Sequence, residues 1–200
     1  MDRKCEDWTF ENWDEKRKDT QGYRIAKRYA DNWDQVKTDN HGILLYGPPG
    51  TGKTFIAASI ANHLIRQRGV PVAFVSSIDI INKIYSGYGR DDDGTAFLNS
   101  LNRAALLIID DLGAESKGKS GKDREIIYQI VDNRLRSKRP MIVTSNYTMD
   151  ELRQRLDYDG VNRIVDRLAE ICVPIKIDGP SIRQQKAAQK RTEFIKLLTE

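Results

Sequence analysis

Five short apolar runs, separated by longer segments of mixed polarity, set the pattern of the chain. We predict β-strands at residues 42–46, 72–75, 106–109, 141–143 and 173–177. The third run is continuously apolar, as expected of a strand that is covered on both faces. Pro174 in the fifth run has no amide hydrogen for a neighbouring strand, so we place this strand at an edge of the sheet.

Between these runs, apolar residues recur at the three- and four-residue spacing of helices. One predicted helix follows a glycine-rich turn and ends at about residue 68, and another begins at residue 78. The other predicted helices cover about 23–36, 97–102, 122–136, 149–156, 161–171 and 183–198. Strands that alternate with helices indicate an α/β domain with a five-stranded, mainly parallel sheet. We expect an N-terminal extension and helix at 1–40, a core at 41–182 and a basic C-terminal helix at 183–200.

The composition favours a single domain and excludes a membrane-embedded protein. The chain has 200 residues, of which 39% are hydrophobic, and this is enough for a core. No apolar run reaches the roughly 18 residues that span a bilayer. Cys5 and Cys172 are predicted to be free thiols in a reducing compartment. The net charge is only +4, but residues 116–139 hold eight basic and three acidic side chains, which permits nucleic-acid binding.

The strongest motif is a phosphate-binding loop, or P-loop, after the first strand. It consists of Gly47, Pro48, Pro49, Gly50, Thr51, Gly52, Lys53 and Thr54. Glycines let successive backbone amides converge on phosphate oxygens, and the next helix directs its positive N-terminal end at the same anion. Lys53 is expected to neutralise phosphate charge, and the Thr54 hydroxyl to ligate Mg²⁺. We include Phe55, the next residue, in the ATP-binding set.

Acidic and amide side chains follow two further strands. Asp110 is expected to hold Mg²⁺ through water, and Asp111 to polarise the attacking water as general base. Glu115 is the alternative base. Asn146 ends the fourth strand, at the edge where ligands bind open α/β sheets, so it is a candidate to orient the water or contact the γ-phosphate. A turn-forming role for Asn146 is the alternative.

These residues together resemble the AAA+ ATPases, and within them the DnaC/DnaI-type replicative helicase loaders and the IstB-type transposition helpers. The resemblance runs from about Trp8 to Arg183. Its markers are residues 9–13, the P-loop, 109–113, 144–146, 162–168 and 181–183. It implies a P-loop AAA+ core, with a lid domain that is minimal or absent because only about 17 residues follow Arg183. It also implies an N-terminal helicase-gripping module in complete loaders, so this chain is either an excised ATPase domain or binds its partner in another way.

The resemblance assigns roles to polar residues that the pattern alone leaves open. Asn146 is similar to the first sensor, and Arg183 to the second sensor, which acts on the phosphates of its own subunit. Arg167 is similar to the arginine finger, which reaches the ATP site of a neighbouring subunit and stabilises charge on the transferred phosphoryl group. Arg163 lies one helical turn earlier and is the alternative finger.

Loaders of this family hold single-stranded DNA, which cations and stacking aromatics bind. Two segments of the chain fit this chemistry: an exposed tip within 79–90 and the loop after Leu112. The candidate DNA-binding residues are Lys83, Tyr85, Tyr88, Arg90, Lys117, Lys119 and Lys122. A core-packing tyrosine pair and a solvated lysine loop are the alternative interpretation.

The function expected from these features is that of an ATP- and Mg²⁺-dependent loader domain in the cytoplasm. Its expected partners are single-stranded DNA, a hexameric replicative helicase and further copies of itself in a ring or spiral, without a membrane. An IstB-like helper would couple the same ATPase to a transposase. A P-loop kinase and an ATP-gated binding module with negligible turnover are rivals from other classes. The pair Asp110-Asp111 and Asn146 favour hydrolysis over group transfer.

Overall fold

Five parallel strands form one sheet at the centre of the molecule. The computed structural model describes residues 5–14, 20–87, 94–114, 121–156 and 163–199. The strands are β1 (Gly42–Tyr46), β2 (Val72–Ser76), β3 (Leu106–Asp110), β4 (Met141–Ser145) and β5 (Cys172–Lys176). Their order is β2-β3-β4-β1-β5, and all pairings between described strands are parallel. The α/β class, the five strands and the edge position of the strand with Pro174 are therefore confirmed.

Helices cover both faces of the sheet. They are α1 (Gln21–Asp31), α2 (Trp33–Thr38), α3 (Lys53–Arg68), α4 (Ser77–Gly87), α5 (Thr95–Arg103), α6 (Lys122–Arg136), α7 (Met149–Leu156), α8 (Arg163–Ile171) and α9 (Ile182–Thr199). One apolar cluster joins the sheet to α1, α2 and α3, and the other joins it to α4–α8. Strand β1 contributes side chains to both clusters, because Leu44 faces one of them and Ile43 and Leu45 face the other.

The predicted helix at 23–36 is two helices, and this expectation was wrong. Helix α1 ends at Asp31, and α2 begins at Trp33. The residue between them is Asn32, whose backbone amide and side-chain amide both donate to the carbonyl of Arg28 (3.0 and 2.8 Å). These bonds cap α1, so the chain turns before α2 starts.

The N-terminal segment is held against α3 by side chains of that helix. Asn62 donates to the carbonyl oxygens of Cys5 (2.8 Å) and Trp8 (2.9 Å). Phe10 and Trp13 are buried in the cluster that α3 shares with α1 and α2. This docking brings residues 8–14 next to the start of α3, which is where the P-loop ends.

Arg134 on α6 is fully buried at the end of the sheet opposite to the P-loop. Its guanidinium donates to carbonyl oxygens that precede β3 and β4, namely those of Ala104 (2.7 Å), Ala105 (3.2 Å) and Pro140 (2.5 Å). Burial lowers the pKa of Arg134 to about 10. This arginine is one of the eight basic residues at 116–139, but its buried guanidinium contributes no charge to the surface.

Helix α9 contrasts with the others because none of its residues is buried. Cys5 and Cys172 are both buried, and no disulfide joins them. Within the described residues, no helix combines the length and apolar character needed to cross a bilayer.

Candidate nucleotide-binding site

The P-loop lies between the end of β1 and the start of α3, in a conformation that glycine makes possible. Gly47, Gly50 and Gly52 have φ angles of 140°, 84° and 103°. A side chain at Gly50 would collide with the hydroxyl of Ser181, which precedes α9. The amide of Ile182 donates to the Gly50 carbonyl (2.9 Å), so the start of α9 is bound to the P-loop.

Lys53 at the first position of α3 is a buried cation. Its exposed fraction is 5%, and its ammonium group donates to the carbonyl oxygens of Gly47 and Pro48, at 2.8 Å each. Burial lowers the pKa of Lys53, and the nearby carboxylates of Asp111 and Asp110 partly oppose that effect. Two carbonyl bonds compensate a buried charge only in part, so the site favours the arrival of an anion.

Asp110, at the end of β3, lies against the start of α3. Its carboxylate accepts a hydrogen bond from the Thr144 hydroxyl (2.6 Å) and another from Thr54. Burial raises the pKa of Asp110, and the hydrogen bond from Thr144 opposes this shift. A hydroxyl beside a half-buried carboxylate is the oxygen donor set that Mg²⁺ prefers, so Thr54 and Asp110 fit the predicted metal role.

Asp111 adopts the left-handed backbone conformation, with φ of 54°. Its amide donates to the Thr144 hydroxyl (2.9 Å), and its carbonyl accepts a bond from Ser77 (3.0 Å). Its carboxylate is 3.4 Å from the side-chain amide of Asn146. The structure therefore brings Asp110, Asp111 and Asn146 together, as the order of the strands requires.

A cavity of about 310 Å³ opens where these groups converge. The predicted site residues that line it are Pro49, Gly50, Gly52, Lys53, Thr54, Phe55, Asp111, Asn146 and Arg183. Gly47 and Pro48 contribute through their bonds to Lys53, and Thr51 is buried, with its hydroxyl bonded to the Pro48 carbonyl (3.0 Å). Arg183 is close enough for its charge to lower the pKa of Lys53.

Six residues of the cavity wall were not among the predicted site residues. They are Trp8, Asn12, Trp13, Asp14, Ile182 and Lys186. Phe55 lies 4.9 Å from the Trp13 ring and 5.6 Å from the Trp8 ring, so aromatic surfaces form one side of the cavity. A smaller cavity of about 80 Å³ adjoins it, and Trp13 and Phe55 line both. The phosphate-binding groups thus continue into an apolar wall that suits a flat heterocyclic base.

Arg167 lies on α8, outside the cavity. Its guanidinium is bonded to Glu170 (3.0 Å) and lies 3.5 Å from Asp132 of α6, and 37% of the side chain is exposed. Arg163 is exposed at the start of the same helix. Neither arginine contributes to the nucleotide cavity of its own chain.

The candidate DNA-binding residues are placed only in part. Lys83 and Tyr85 lie within helix α4 rather than on a loop tip, which corrects the expectation, because the helix continues to Gly87. The Tyr85 hydroxyl donates to Asp123 at the start of α6 (2.5 Å), and Lys122 is exposed beside it. Tyr88, Arg90, Lys117, Lys119 and the alternative base Glu115 lie outside the described residues.

Relatives of this chain include replicative helicase loaders. The loader DnaC of Escherichia coli (strain K12) is 33% identical over 146 residues, which cover 72% of this chain and 55% of DnaC. The loader DnaI of Bacillus subtilis (strain 168) is 28% identical over 151 residues, which cover 71% of this chain and 47% of DnaI. The chain thus spans about half the length of these curated relatives.

The fold has close counterparts among solved structures. The crystal structure of DnaI matches with a TM-score of 0.69 at 25% identity, over 90% of this chain and 93% of that one. The family model of IstB-like ATP-binding proteins matches residues 6–190, which is nearly the whole chain. The chain therefore belongs to the IstB-like ATP-binding protein family, and its fold is that of a P-loop AAA+ domain.

Proposed function

We propose that this chain is the ATPase domain of a replicative helicase loader, which binds and hydrolyses ATP with Mg²⁺ and works as an oligomer on single-stranded DNA. The observation that carries the proposal is the cavity in which Lys53, Asp111, Asn146 and Arg183 converge. The loaders DnaC and DnaI among the relatives support the biological role. That role implies the cytoplasm as its location.

The chemistry of the site is hydrolysis of the terminal phosphate of ATP. Lys53 and Arg183 bind the phosphates; Thr54 and, through water, Asp110 would hold Mg²⁺, which would supply further positive charge against the phosphates. Asp111 accepts a proton from the attacking water, and Asn146 orients that water. The proximity of the Asp111 carboxylate to Asn146 (3.4 Å) supports a shared task for these two side chains.

The arginine finger is the part of the proposal that requires a second subunit. Arg167 is outside its own cavity and is partly exposed, which supports a role at a neighbouring site. In the single chain its charge is matched by Glu170 and Asp132. An isolated chain is therefore expected to bind ATP but to hydrolyse it slowly.

Mixing two inactive variants tests this arrangement. Arg167→Ala leaves the chain's own site intact, and Asp111→Asn leaves its arginine intact, so a mixed assembly contains complete sites at some interfaces. We expect Arg167→Ala alone to lose at least about 10³-fold in turnover and Asp111→Asn alone at least about 10²-fold, and the mixture to regain part of the loss. The matched comparison is a mixture of Arg163→Ala with Asp111→Asn, which tests the alternative finger. A mixture with Arg167→Ala that stays inactive would reject the finger acting in trans.

The proposed DNA contact rests on the surface formed by α4 and the start of α6. The bond between Tyr85 and Asp123 joins the two segments, so Lys83 and Lys122 lie on neighbouring elements. We expect single-stranded DNA to bind in a salt-dependent manner and to stimulate the ATPase, and Lys83→Ala with Lys122→Ala to reduce the salt dependence. The loader proposal would lose its main support if single-stranded DNA left the ATPase activity unchanged and did not bind in a salt-dependent manner.

The partner separates the loader from the alternative function, a transposition helper. The description of the family as IstB-like favours the helper, whereas the named relatives DnaC and DnaI favour the loader. The deciding experiment is a pull-down of a hexameric replicative helicase and a transposase, side by side, with ATP present. Capture of the helicase alone is the expected result, and capture of the transposase alone would reject the loader proposal.

A further inference from the structure

Thr144, in strand β4, makes hydrogen bonds to both acidic residues at the end of β3. Its hydroxyl donates to the Asp110 carboxylate at 2.6 Å and accepts the backbone amide of Asp111 at 2.9 Å. The threonine is completely buried. The hydroxyl hydrogen is donated to Asp110, and an oxygen lone pair accepts the amide of Asp111. Both residues therefore determine the orientation of the Thr144 hydroxyl.

The two acids need different orientations, and Thr144 contributes to each. Asp110 points back to Thr54 at the start of α3, whereas Asp111 lines the cavity. The backbone bends at Asp111, which adopts the left-handed conformation that is unfavourable for a residue with a side chain. In this conformation the Asp111 amide donates a hydrogen bond to the Thr144 hydroxyl, and this bond helps to maintain the conformation of Asp111.

We propose that Thr144 is a positioning residue, whose hydroxyl holds Asp110 in the orientation that binds Mg²⁺ and holds Asp111 turned toward the water. This inference rests on the proposed ATPase function. Thr144 does not line the cavity, so it acts through the two acids and not on the nucleotide. Residues that orient metal ligands in this way typically change metal affinity or activity by 10- to 100-fold when they are altered.

If Thr144 had a purely structural role, the neighbouring hydrogen bonds between β4 and the segment after β3 would have the same role. The amide of Leu112 donates to the Thr144 carbonyl (2.8 Å), and the hydroxyl of Ser145 donates to the Leu112 carbonyl (2.7 Å). Ser145 is also completely buried, but neither of these bonds reaches a carboxylate. Ser145→Ala is therefore a matched control, because it removes a buried hydroxyl bond from the same junction.

The test compares Thr144→Val, Thr144→Ser and Ser145→Ala with the unaltered chain. The first readout is the affinity for a fluorescent, non-hydrolysable ATP analogue, measured with EDTA and across a Mg²⁺ titration. The second is the Mg²⁺ concentration that gives half-maximal ATP hydrolysis. For Thr144→Val we expect unchanged affinity in EDTA, a half-maximal Mg²⁺ concentration raised at least about tenfold, and a lower kcat. Thr144→Ser keeps the hydroxyl and is expected to restore the Mg²⁺ dependence.

The outcomes separate the inference from the function on which it rests. If the unaltered chain binds no analogue with Mg²⁺, the proposed function fails. If it binds, an unchanged Mg²⁺ dependence in Thr144→Val overturns the inference alone. An equal shift in Ser145→Ala also overturns it, because the effect is then that of a loosened junction. Should the valine variant not fold, Thr144→Ala replaces it, and the comparison with Thr144→Ser decides by the same criteria.

Discussion

Lys53→Met removes the buried ammonium group from the P-loop while retaining an unbranched side chain of similar length. In the nucleotide-free chain the change removes two hydrogen bonds to carbonyl oxygens, which lowers the stability. It also removes a buried cation, which raises the stability, so the two effects oppose each other. We expect the free energy of unfolding without ATP to change by about 1 kcal/mol or less. With ATP, the variant lacks charge-assisted bonds to phosphate of about 2–3 kcal/mol, which weakens binding about 30- to 150-fold.

Thermal unfolding with and without ATP separates the two effects. At an ATP concentration 100 times its dissociation constant, the unaltered chain gains about 2.7 kcal/mol, which corresponds to a rise in Tm of about 5–11 °C for a chain of this size. At the same ATP concentration the variant is about 40–77% saturated and gains about 0.3–0.9 kcal/mol, so its Tm rises by only about 1–3 °C. Titration calorimetry gives the two dissociation constants independently.

Lys37→Met, at the exposed end of α2, is the matched control for the loss of a lysine charge. It should keep the full stabilisation by ATP. The reasoning is refuted if Lys53→Met retains the ATP-induced rise in Tm, because the buried cation would then not be a phosphate ligand. It is equally refuted if the nucleotide-free variant loses several kcal/mol, because Lys53 would then be chiefly a structural residue of the P-loop.

Two further predictions concern the rest of the fold and the loop itself. Arg134→Met leaves carbonyl oxygens before β3 and β4 without donors and should cost about 3 kcal/mol, or about 6–12 °C in Tm by calorimetry, with ATP affinity unchanged. Arg139→Met removes one bond, to the Asn102 carbonyl, and should cost about 1 kcal/mol; equal losses would contradict this account. Gly50→Ala strains a left-handed position and collides with Ser181, so it should weaken ATP binding at least about tenfold in calorimetric titrations. Gly69→Ala meets open space and should alter stability alone, and an equal loss of ATP binding there would contradict the role of Ser181.

The sheet was predictable because its strands are almost entirely apolar. The apolar run marks the fourth strand only as far as Val143, and its polar end was expected at residues 144–146; β4 ends at Ser145. Thr144 and Ser145 are polar and nevertheless buried, because their hydroxyls are bonded to the end of β3 and to the segment after it. A pattern of hydrophobicity marks such residues as exposed, and only the register of neighbouring strands reveals their partners.

The phosphate-binding part of the site was predictable for a local reason. Its eight residues are consecutive, and the spacing of glycines, lysine and threonine carries the chemistry without reference to the rest of the chain. Asp110, Asp111 and Asn146 followed from the rule that parallel strands end at one edge. Lys186 could have been found, since it lies one helical turn after Arg183 and residues at this spacing share a helix face.

Other features depend on contacts between distant segments and leave no local signal. The position of Trp8 and Trp13 in the cavity wall could not be predicted, because the sequence does not show that α3 would bring them beside the P-loop. The burial of Arg134 requires carbonyl oxygens from two separate connections, so the sequence shows it only as one of the eight basic residues of 116–139. The division of α1 and α2 was missed because an asparagine inside a helical pattern is not by itself a reliable end signal.

Helix α9 is attached to the P-loop at one end and buries nothing along its length. Its 18 residues make a rod about 27 Å long. A rotation of about 10° at Gly50 and Ser181 would therefore carry the far end of this rod through about 5 Å, a distance comparable with the spacing of adjacent strands. A small displacement at the P-loop end of α9 would therefore be amplified into a large displacement at Leu197, while the sheet stays in place.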